Sequence, residues 1–213
     1  MVMLSRSEIR FYTNRSPLFE DMSSSLRAIS RQPKAISGET RKVVALARKF
    51  NDEVVRPHTA EMDRRMQADS KHLPWDFLET ANRWGLYTLW IPRIFGGKGY
   101  ALPSLSWFIE ELASACTAMA NLVGVHYLGV GSLISSWNTR IIQRVFKDVI
   151  NGEKNGTPCL ISLALTEPEA GTDAEETDLM DRGTITCHAR RVEAGYRVNG
   201  RKVFISNGHL SSW

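Results

Sequence analysis

Two stretches, residues 160–173 and 195–208, decide the fold of this chain. The first reads Leu160-Ile161-Ser162-Leu163-Ala164-Leu165-Thr166-Glu167-Pro168-Glu169-Ala170-Gly171-Thr172-Asp173, and the second reads Gly195-Tyr196-Arg197-Val198-Asn199-Gly200-Arg201-Lys202-Val203-Phe204-Ile205-Ser206-Asn207-Gly208. A short apolar run bounded by turn residues predicts a β-strand at 160–165 that enters a rigid turn. Asn-Gly tolerates positive φ at both turn positions, so the second stretch predicts a hairpin folded at Asn199-Gly200.

Upstream of these stretches, apolar residues recur at three- and four-residue spacing and predict amphipathic helices. Four helices are predicted. The first begins at Glu39 and ends before Pro57, and the second begins at Leu73-Pro74-Trp75. The third runs from Leu105 to Cys116 with Glu110 and Glu111 on its polar side, and the fourth begins at Asn138-Thr139 and ends at Asn151-Gly152. Helices followed by strands indicate an α+β fold and not βαβ alternation. We therefore predict an N-terminal all-α helical bundle followed by a truncated, mostly antiparallel β domain.

A polar, turn-rich segment at residues 153–158 separates the two patterns. It predicts three parts: an N-terminal arm at 1–36, a helical domain at 37–152, and the incomplete start of a β domain at 159–213.

The composition is that of a globular chain able to bury a core. Of its 213 residues 43% are hydrophobic, and the formal net charge is only +4 with no basic block, which is weak evidence for nucleic-acid binding. The three cysteines, Cys116, Cys159 and Cys187, are odd in number and lack C-x-x-C spacing. They predict buried thiols, with neither disulfides nor a metal site.

Residues 112–139 carry no formal charge and are long enough to raise the question of a membrane span. Asn121, His126 and the glycines and serines near Gly129 interrupt the apolar pattern. We predict two buried helices with a break between them, and no membrane span. Packing is the expected role of His126. Arg6, Glu8 and Arg10 interrupt the N-terminal segment, so no secretory signal is predicted.

The two quoted stretches together resemble the flavin-contacting motifs of the acyl-CoA dehydrogenase family. Two long motifs at the expected separation are far more specific than one short pattern. The resemblance extends over nearly all of residues 39–208 but only about the first half of a complete member. It implies that the remaining strands and a C-terminal helical domain, which carries the catalytic glutamate and the oligomer interface, are missing from this chain.

The resemblance also implies roles for individual residues. Leu163, Leu165 and Thr166 would line the pyrimidine side of the flavin, and Gly171 would let the chain pass close to it. Thr172 would place a hydroxyl near the flavin phosphates and the CoA thioester, which also makes it a substrate contact. Phe204 and Ile205 would lie against the cofactor, and Ser206 would donate to flavin N5. No catalytic residue is assigned to this chain.

The function implied is FAD-dependent α,β-dehydrogenation of acyl-CoA thioesters in fatty-acid metabolism. This chain would be an N-terminal portion of such an enzyme that lacks the catalytic base and is inactive alone. The implied partners are an acyl-CoA, an electron-transfer flavoprotein and, in the complete form, further copies of the chain. The implied location is the cytoplasm, or the mitochondrial matrix in a eukaryote. The alternative is a non-catalytic fragment or binding module that keeps the helical fold. A weaker third reading, nucleic-acid binding, rests on the basic pI.

Overall fold

A computed structural model describes residues 34–174, 178 and 183–213. The predicted N-terminal arm therefore lies almost entirely outside the described residues. The elements of the described chain are α1 (Lys34–Phe50), a π-helical turn (Asn51–Val55), α2 (Arg56–Ala68), α3 (Trp75–Arg83), α4 (Leu102–Ala113), α5 (Thr117–Ser135), α6 (Thr139–Asn155), β1 (His188–Val192) and β2 (Gly195–Asn199). Helices come first and an antiparallel strand pair follows, so the predicted α+β class is confirmed.

The chain divides into two compact units. Of the described residues, one unit contains 34–61 together with Tyr100–Ala120, and the other contains Met62–Gly99 together with 121–174, 178 and 183–213. The sequence-based boundaries at 37–152 and 159–213 stay a prediction about domains.

Helices α1 and α4 form the core of the first unit. Their buried apolar side chains follow helical spacing and include Val43, Ala47 and Phe50 on α1 with Phe108 and Leu112 on α4. This stripe is the one that the sequence predicts for each helix.

Glu111 departs from the prediction, because α4 turns it inward. Its side chain is 8% exposed and accepts hydrogen bonds from the Arg48 guanidinium, at 3.2 Å from Nε and 3.0 Å from Nη2. Two parallel bonds to a guanidinium offset the cost of burying a carboxylate. The sequence pattern placed Glu111 on the polar side because its partner lies on another helix.

The first predicted helix does not end before Pro57. A π-helical turn at Asn51–Val55 precedes the proline, and the Arg56 N–H bonds to the Asn51 carbonyl, five residues back. Proline normally breaks a helix because it lacks an N–H and its ring meets a carbonyl in the preceding turn. The wider π turn shifts the carbonyls and accommodates this defect, so the chain continues directly into α2.

In the second unit, α3, α6 and the part of α5 after Ala120 contribute the helical part of the core. The buried side chains are Phe77, Leu78 and Ala81 on α3 and Ile142, Val145, Phe146 and Val149 on α6. Asn138 caps α6 as predicted, since its Oδ1 accepts from the Ile141 N–H. The helix runs three residues past the predicted stop and ends at Gly156, whose φ of 77° is left-handed. Gly152 is instead a helical residue whose carbonyl accepts from the buried Asn82 amide.

Helix α5 is a single unbroken helix, so the predicted break near Gly129 is wrong. Gly129 does not break the helix. It lets Ile161 pack closely against α5, because a Cβ at residue 129 would lie 2.5 Å from Cγ2 of Ile161. Among the described residues, α5 is the one helix long and apolar enough to cross a membrane by length and composition. In the most apolar part of this helix 44% of the residues are buried inside the fold, and core helices of soluble proteins can have the same length and composition.

The hairpin forms at a different place from the prediction. Strands β1 and β2 pair antiparallel with Val192 opposite Gly195, so the turn is Glu193-Ala194. Asn199 lies in β2 opposite His188. Gly200 lets the backbone of Cys187 pass close to it, since a Cβ at residue 200 would lie 2.4 Å from the Cα of Cys187. The predicted hairpin turn at Asn199-Gly200 is therefore wrong.

The predicted strand at 160–165 is an extended segment without a regular ladder in the described structure. Leu160 accepts main-chain bonds from Ser212 and Trp213, and the Ser162 N–H donates to the Trp213 carbonyl. Leu160 and Ile161 are buried. A strand needs a neighbour for its ladder, and here the neighbour is only a short run at residues 212–213.

Candidate functional site

The two motifs lie side by side in the second unit. The Val203 N–H donates to the Thr166 carbonyl at 2.9 Å. The Lys202 ammonium donates to the Leu165 carbonyl at 2.8 Å and to Oε1 of Glu167 at 2.7 Å. These three bonds join the end of the first motif to the centre of the second. Residues thirty-five or more positions apart in the sequence thus form one continuous surface.

Glu167 is the centre of this arrangement. Glu167 is only 2% exposed. Besides the Lys202 ammonium, its carboxylate accepts hydrogen bonds from the Thr186 N–H at 2.7 Å, the Thr186 hydroxyl at 2.8 Å and the Cys187 N–H at 3.1 Å. The Lys202 ammonium and then the Thr186 donors lower the pKa of Glu167 to about 2. The carboxylate therefore stays ionised and fixes three segments of chain at once.

The turn after Thr166 is held by its own backbone. Glu167 and Ala170 exchange main-chain hydrogen bonds, with N···O distances of 2.9 and 3.2 Å. The Gly171 N–H donates to Oδ1 of Asp173 at 2.7 Å. The motif thus has the rigid turn that the sequence predicts, with Asp173 bonding back to the main chain two residues earlier.

The second motif presents an aromatic ring to solvent. Phe204 is 91% exposed and has a φ of 56°, which is uncommon for a residue with a side chain. Asn207, also left-handed at 61°, is 3% exposed and its amide donates to the Leu122 carbonyl of α5 at 2.7 Å. The buried asparagine anchors the loop while Phe204 points away from the core. A strained, exposed aromatic side chain is a candidate ligand contact.

The predicted site residues fall into two groups. Leu165, Thr166, Phe204, Ile205 and Ser206 are brought together through the Val203 to Thr166 bond. Leu163 precedes them on the same extended segment, whereas Gly171 and Thr172 lie beyond the Glu167 turn. The side chains of Thr172 and Ser206 are exposed, and those of Leu163, Thr166 and Ile205 are half-buried. The side chains of Thr172 and Ser206 therefore face solvent.

Sequence reasoning missed Glu167 and Lys202 as organising residues. It gave Glu167 no role of its own, because an isolated carboxylate next to proline gives no sign of its burial. The signal was the lysine in the second motif, since a buried carboxylate requires a partner of opposite charge.

His126 on α5 supports the start of the first motif. It is fully buried; its Nδ1 accepts from the Ile161 N–H at 3.1 Å, which leaves Nε2 to donate to the Tyr87 carbonyl at 3.0 Å. Both ring nitrogens are thus satisfied by the neutral ring. Burial lowers the pKa of His126 to about 4, although the bond to Tyr87 opposes the shift. The predicted packing role is what the structure shows.

We expect His126 to make the fold acid-sensitive between pH 6.5 and 4. Above pH 6.5 the ring is neutral in both states and its contribution is complete; as pH falls, the unfolded chain takes up a proton that the folded chain does not. The free energy of unfolding should drop by about 3 kcal/mol across this window. Urea denaturation at several pH values measures it. In His126→Gln, which keeps a donor but does not titrate, the slope should be flatter; equal slopes would contradict the assignment.

A separate pocket of about 420 Å³ lies in the first unit beside the π-helical turn. Its lining is Arg48, Asp52, Arg56, Glu110, Glu111 and Ser114. The cations are paired within it, Arg48 with Glu111 and Arg56 with Asp52. Within the described residues no cluster of three or more His, Cys, Asp or Glu is placed to hold a metal ion, and the three cysteines are unpaired thiols.

A set of helices followed by an antiparallel strand pair places this chain among the α+β proteins. Comparison with known families identifies which class this is. Residues 37–153 match the family model "Acyl-CoA dehydrogenase, N-terminal domain". The chain belongs to the acyl-CoA dehydrogenase family.

Several relatives match over most of this chain. Benzylmalonyl-CoA dehydrogenase of Aromatoleum aromaticum is 27% identical over 179 residues, which is 84% of this chain and 43% of the relative. The short-chain specific acyl-CoA dehydrogenase of Clostridium acetobutylicum is 27% identical over 83% of this chain and 42% of its own length. Mitochondrial isovaleryl-CoA dehydrogenase of Solanum tuberosum is 28% identical over 75% and 35%. The chain thus spans less than half the length of these relatives.

The fold also occurs in a solved structure. A chain from the structure of the electron transferring flavoprotein of Acidaminococcus fermentans superimposes with a TM-score of 0.62 at 22% identity. The match covers 81% of this chain and 41% of that one. At this identity the likeness establishes the fold.

Proposed function

We propose that this chain provides the flavin-facing part of an FAD-dependent acyl-CoA dehydrogenase. The observation that carries the proposal is the surface at which Thr166 and Val203 are bonded and Phe204 stands 91% exposed. Family membership supports it, since the relatives are named as dehydrogenases of CoA thioesters. The proposed reaction removes hydrogen from the α and β carbons of an acyl-CoA.

The residues at this surface fit one face of a flavin. An exposed aromatic ring offers a stacking partner, and the extended main chain at Leu163 offers a donor and an acceptor for a heterocycle. The hydroxyl-bearing side chains of Thr172 and Ser206 are exposed. Gly171 is half-buried, and a Cβ there would meet only Oδ1 of Asp173 at 3.9 Å, so a close approach by a ligand is sterically open.

When bound, FAD would supply the hydride acceptor, and the chain would supply position and electrostatics. Leu163, Leu165 and Thr166 would line the pyrimidine side of the flavin. Ile205 and Phe204 would cover the ring, and Ser206 would donate a hydrogen bond where negative charge develops on reduction. Thr172 would contact the flavin phosphates and the thioester.

Glu167, the buried acidic residue at this surface, is not a base in this proposal. Glu167 is ionised and bonded to Lys202, Thr186 and Cys187. A proton acceptor must reach the substrate α-carbon with a pKa matched to the task, and a carboxylate whose pKa lies at about 2 is poorly suited. We therefore assign the α-proton step to residues outside this chain and expect the chain alone to be inactive.

The remaining parts of the proposal follow from the family. The substrate is an acyl-CoA, the electron acceptor is an electron-transfer flavoprotein, and the complete protein associates with further copies of itself. A helical domain at 37–152 precedes the start of a β domain at 159–213. The location is the cytoplasm or the mitochondrial matrix. Relatives named as mitochondrial support the last of these. The second candidate function is a binding module that keeps the helical fold without redox activity, and the observation behind it is that the family model matches the helical part, residues 37–153.

Titration of the isotope-labelled chain with FMN, FAD and ADP tests the flavin site directly. Amide signals of residues 163–166 and 203–206 should shift with FMN and FAD and stay unchanged with ADP, which lacks the isoalloxazine. Phe204→Ala should weaken FMN binding by about threefold to tenfold through lost stacking. Tyr196→Ala, which removes an aromatic ring 71% exposed on β2, should leave it unchanged. Shifts confined to other residues would reject the site.

A further inference from the structure

The outward side of α6 carries a concentration of positive charge. Its basic residues Arg140, Arg144 and Lys147 are all exposed, and they follow i, i+4, i+7 spacing. That spacing places them along one side of a helix. The opposite side consists of the buried residues Ile142, Val145, Phe146 and Val149. We call the exposed set, together with Trp137, Ile141 and Trp213, the basic face.

Two tryptophans lie in the basic face. Trp137 is 87% exposed, and the Arg144 guanidinium lies 5.2 Å from the ring centre of Trp213, which is 40% exposed. Ile141 is 39% exposed beside them on α6. Large apolar side chains therefore accompany the cations.

Trp137 is held in its exposed position by the backbone. Its φ is 54°, its N–H donates to the Ile134 carbonyl at 3.2 Å, and its carbonyl accepts from the Thr139 N–H at 3.1 Å. Asn138 caps α6 immediately after it. A bulky residue in the left-handed region carries a strain cost, and here the side chain gains no burial in return.

Acidic residues are absent from this part of the sequence. Residues 112–147 contain no Asp or Glu, and the first carboxylate after them, Asp148, is half-buried on α6. The basic face thus has three cations and one carboxylate close to them in sequence, Asp148, which follows Lys147. A partner of complementary charge has to be anionic.

We propose that the basic face binds the surface of an anionic phospholipid bilayer. Cations within a Debye length of such a surface are attracted to the lipid charge, and tryptophan favours the headgroup region, where its ring is half in contact with hydrocarbon. A protruding Trp137 enters a lipid interface without needing a matching pocket, whereas a protein partner would need one. Because the apolar side of α6 is in the core, the contact is peripheral and shallow.

Co-sedimentation of the purified chain with vesicles tests this inference. Phosphatidylcholine vesicles containing phosphatidylglycerol should bind the chain, and vesicles of phosphatidylcholine alone should not. Each Lys or Arg near an anionic leaflet contributes about fivefold in affinity, so Arg140→Glu/Arg144→Glu should reduce binding by at least about twenty-fivefold. Trp137→Ala should reduce it by about tenfold, and high salt should abolish the difference between the two vesicle types.

The matched control is Arg41→Glu/Lys42→Glu, which reverses two exposed cations on α1 and changes the net charge equally. It should bind as the unaltered chain does, and circular dichroism checks that every variant is folded. Equal loss in the control would overturn the proposal, because only net charge would matter. Binding to neutral vesicles, or no binding to anionic ones, would also overturn it. Binding to heparin that is insensitive to Trp137→Ala, with no vesicle binding, would assign the face to a soluble polyanion instead.

Discussion

Ser206→Ala should slow reduction of bound flavin by acyl-CoA by roughly tenfold to a thousandfold in a flavin-loaded form assembled from this chain and the C-terminal half of a related dehydrogenase. The reason is that a preorganised donor acts where charge develops in the transition state, and its loss is felt mainly there. Ser206 is exposed on the loop that Asn207 anchors to α5, so the substitution leaves the core untouched. Stopped-flow absorbance of the flavin measures the rate.

Thioester binding should change much less than the rate in this variant. Ser70→Ala, which removes an exposed hydroxyl from the loop between α2 and α3, is the matched control and should react as the unaltered protein does. Unchanged reduction in Ser206→Ala would remove that residue from the site. A parallel loss of substrate binding would indicate a distorted loop.

Glu167→Ala should loosen the joined motifs more than any other single change at this surface. It removes the acceptor of Lys202, Thr186 and Cys187 together and leaves a partly buried ammonium without its carboxylate. Hydrogen exchange at the amides of Cys187 and Val203 should accelerate by roughly tenfold to a hundredfold, as expected when charge-assisted bonds are lost. Glu169→Ala, an exposed carboxylate in the same turn, is the control and should leave both amides protected.

The partnership with Lys202 is tested by a double variant. If Glu167 acts mainly through that residue, Glu167→Gln/Lys202→Met should be no worse than Glu167→Gln alone. Because the pKa of Glu167 is lowered, its contribution is complete above the ordinary glutamate value and is lost as pH falls through about 2. Additive effects of the two substitutions, or protected amides in Glu167→Ala, would contradict the role assigned to the carboxylate.

The helices could be predicted from sequence because their apolar spacing reports directly on one buried side. The stripes of α1, α3, α4 and α6 hold in the structure. Helix ends were less predictable. Pro57 is accommodated by a π-helical turn, and Gly152 serves the packing of α6 against Asn82 and not a stop. Local signals such as Pro and Gly have several uses, and tertiary contacts select among them.

The site was predictable in its motifs but not in its internal bonding. The sequence identified Thr166 and Phe204 through resemblance, yet placed the hairpin at Asn199-Gly200, and the structure has it at Glu193-Ala194. Register depends on cross-strand partners that a single strand does not reveal. Buried Glu111 and Glu167 were missed for a related reason. Their partners lie sixty-three and thirty-five residues away, where no local pattern reaches.

Anaerobic reduction of bound flavin tests the central claim most directly. The chain and a C-terminal half of a related dehydrogenase are purified separately, mixed with FAD and freed of unbound cofactor, and the flavin absorbance is followed as acyl-CoA esters of different length are added. We predict bleaching in the mixture with at least one ester and none with the chain alone. Retention of FAD in the mixture without bleaching by any ester, or turnover by the isolated chain, would contradict the account.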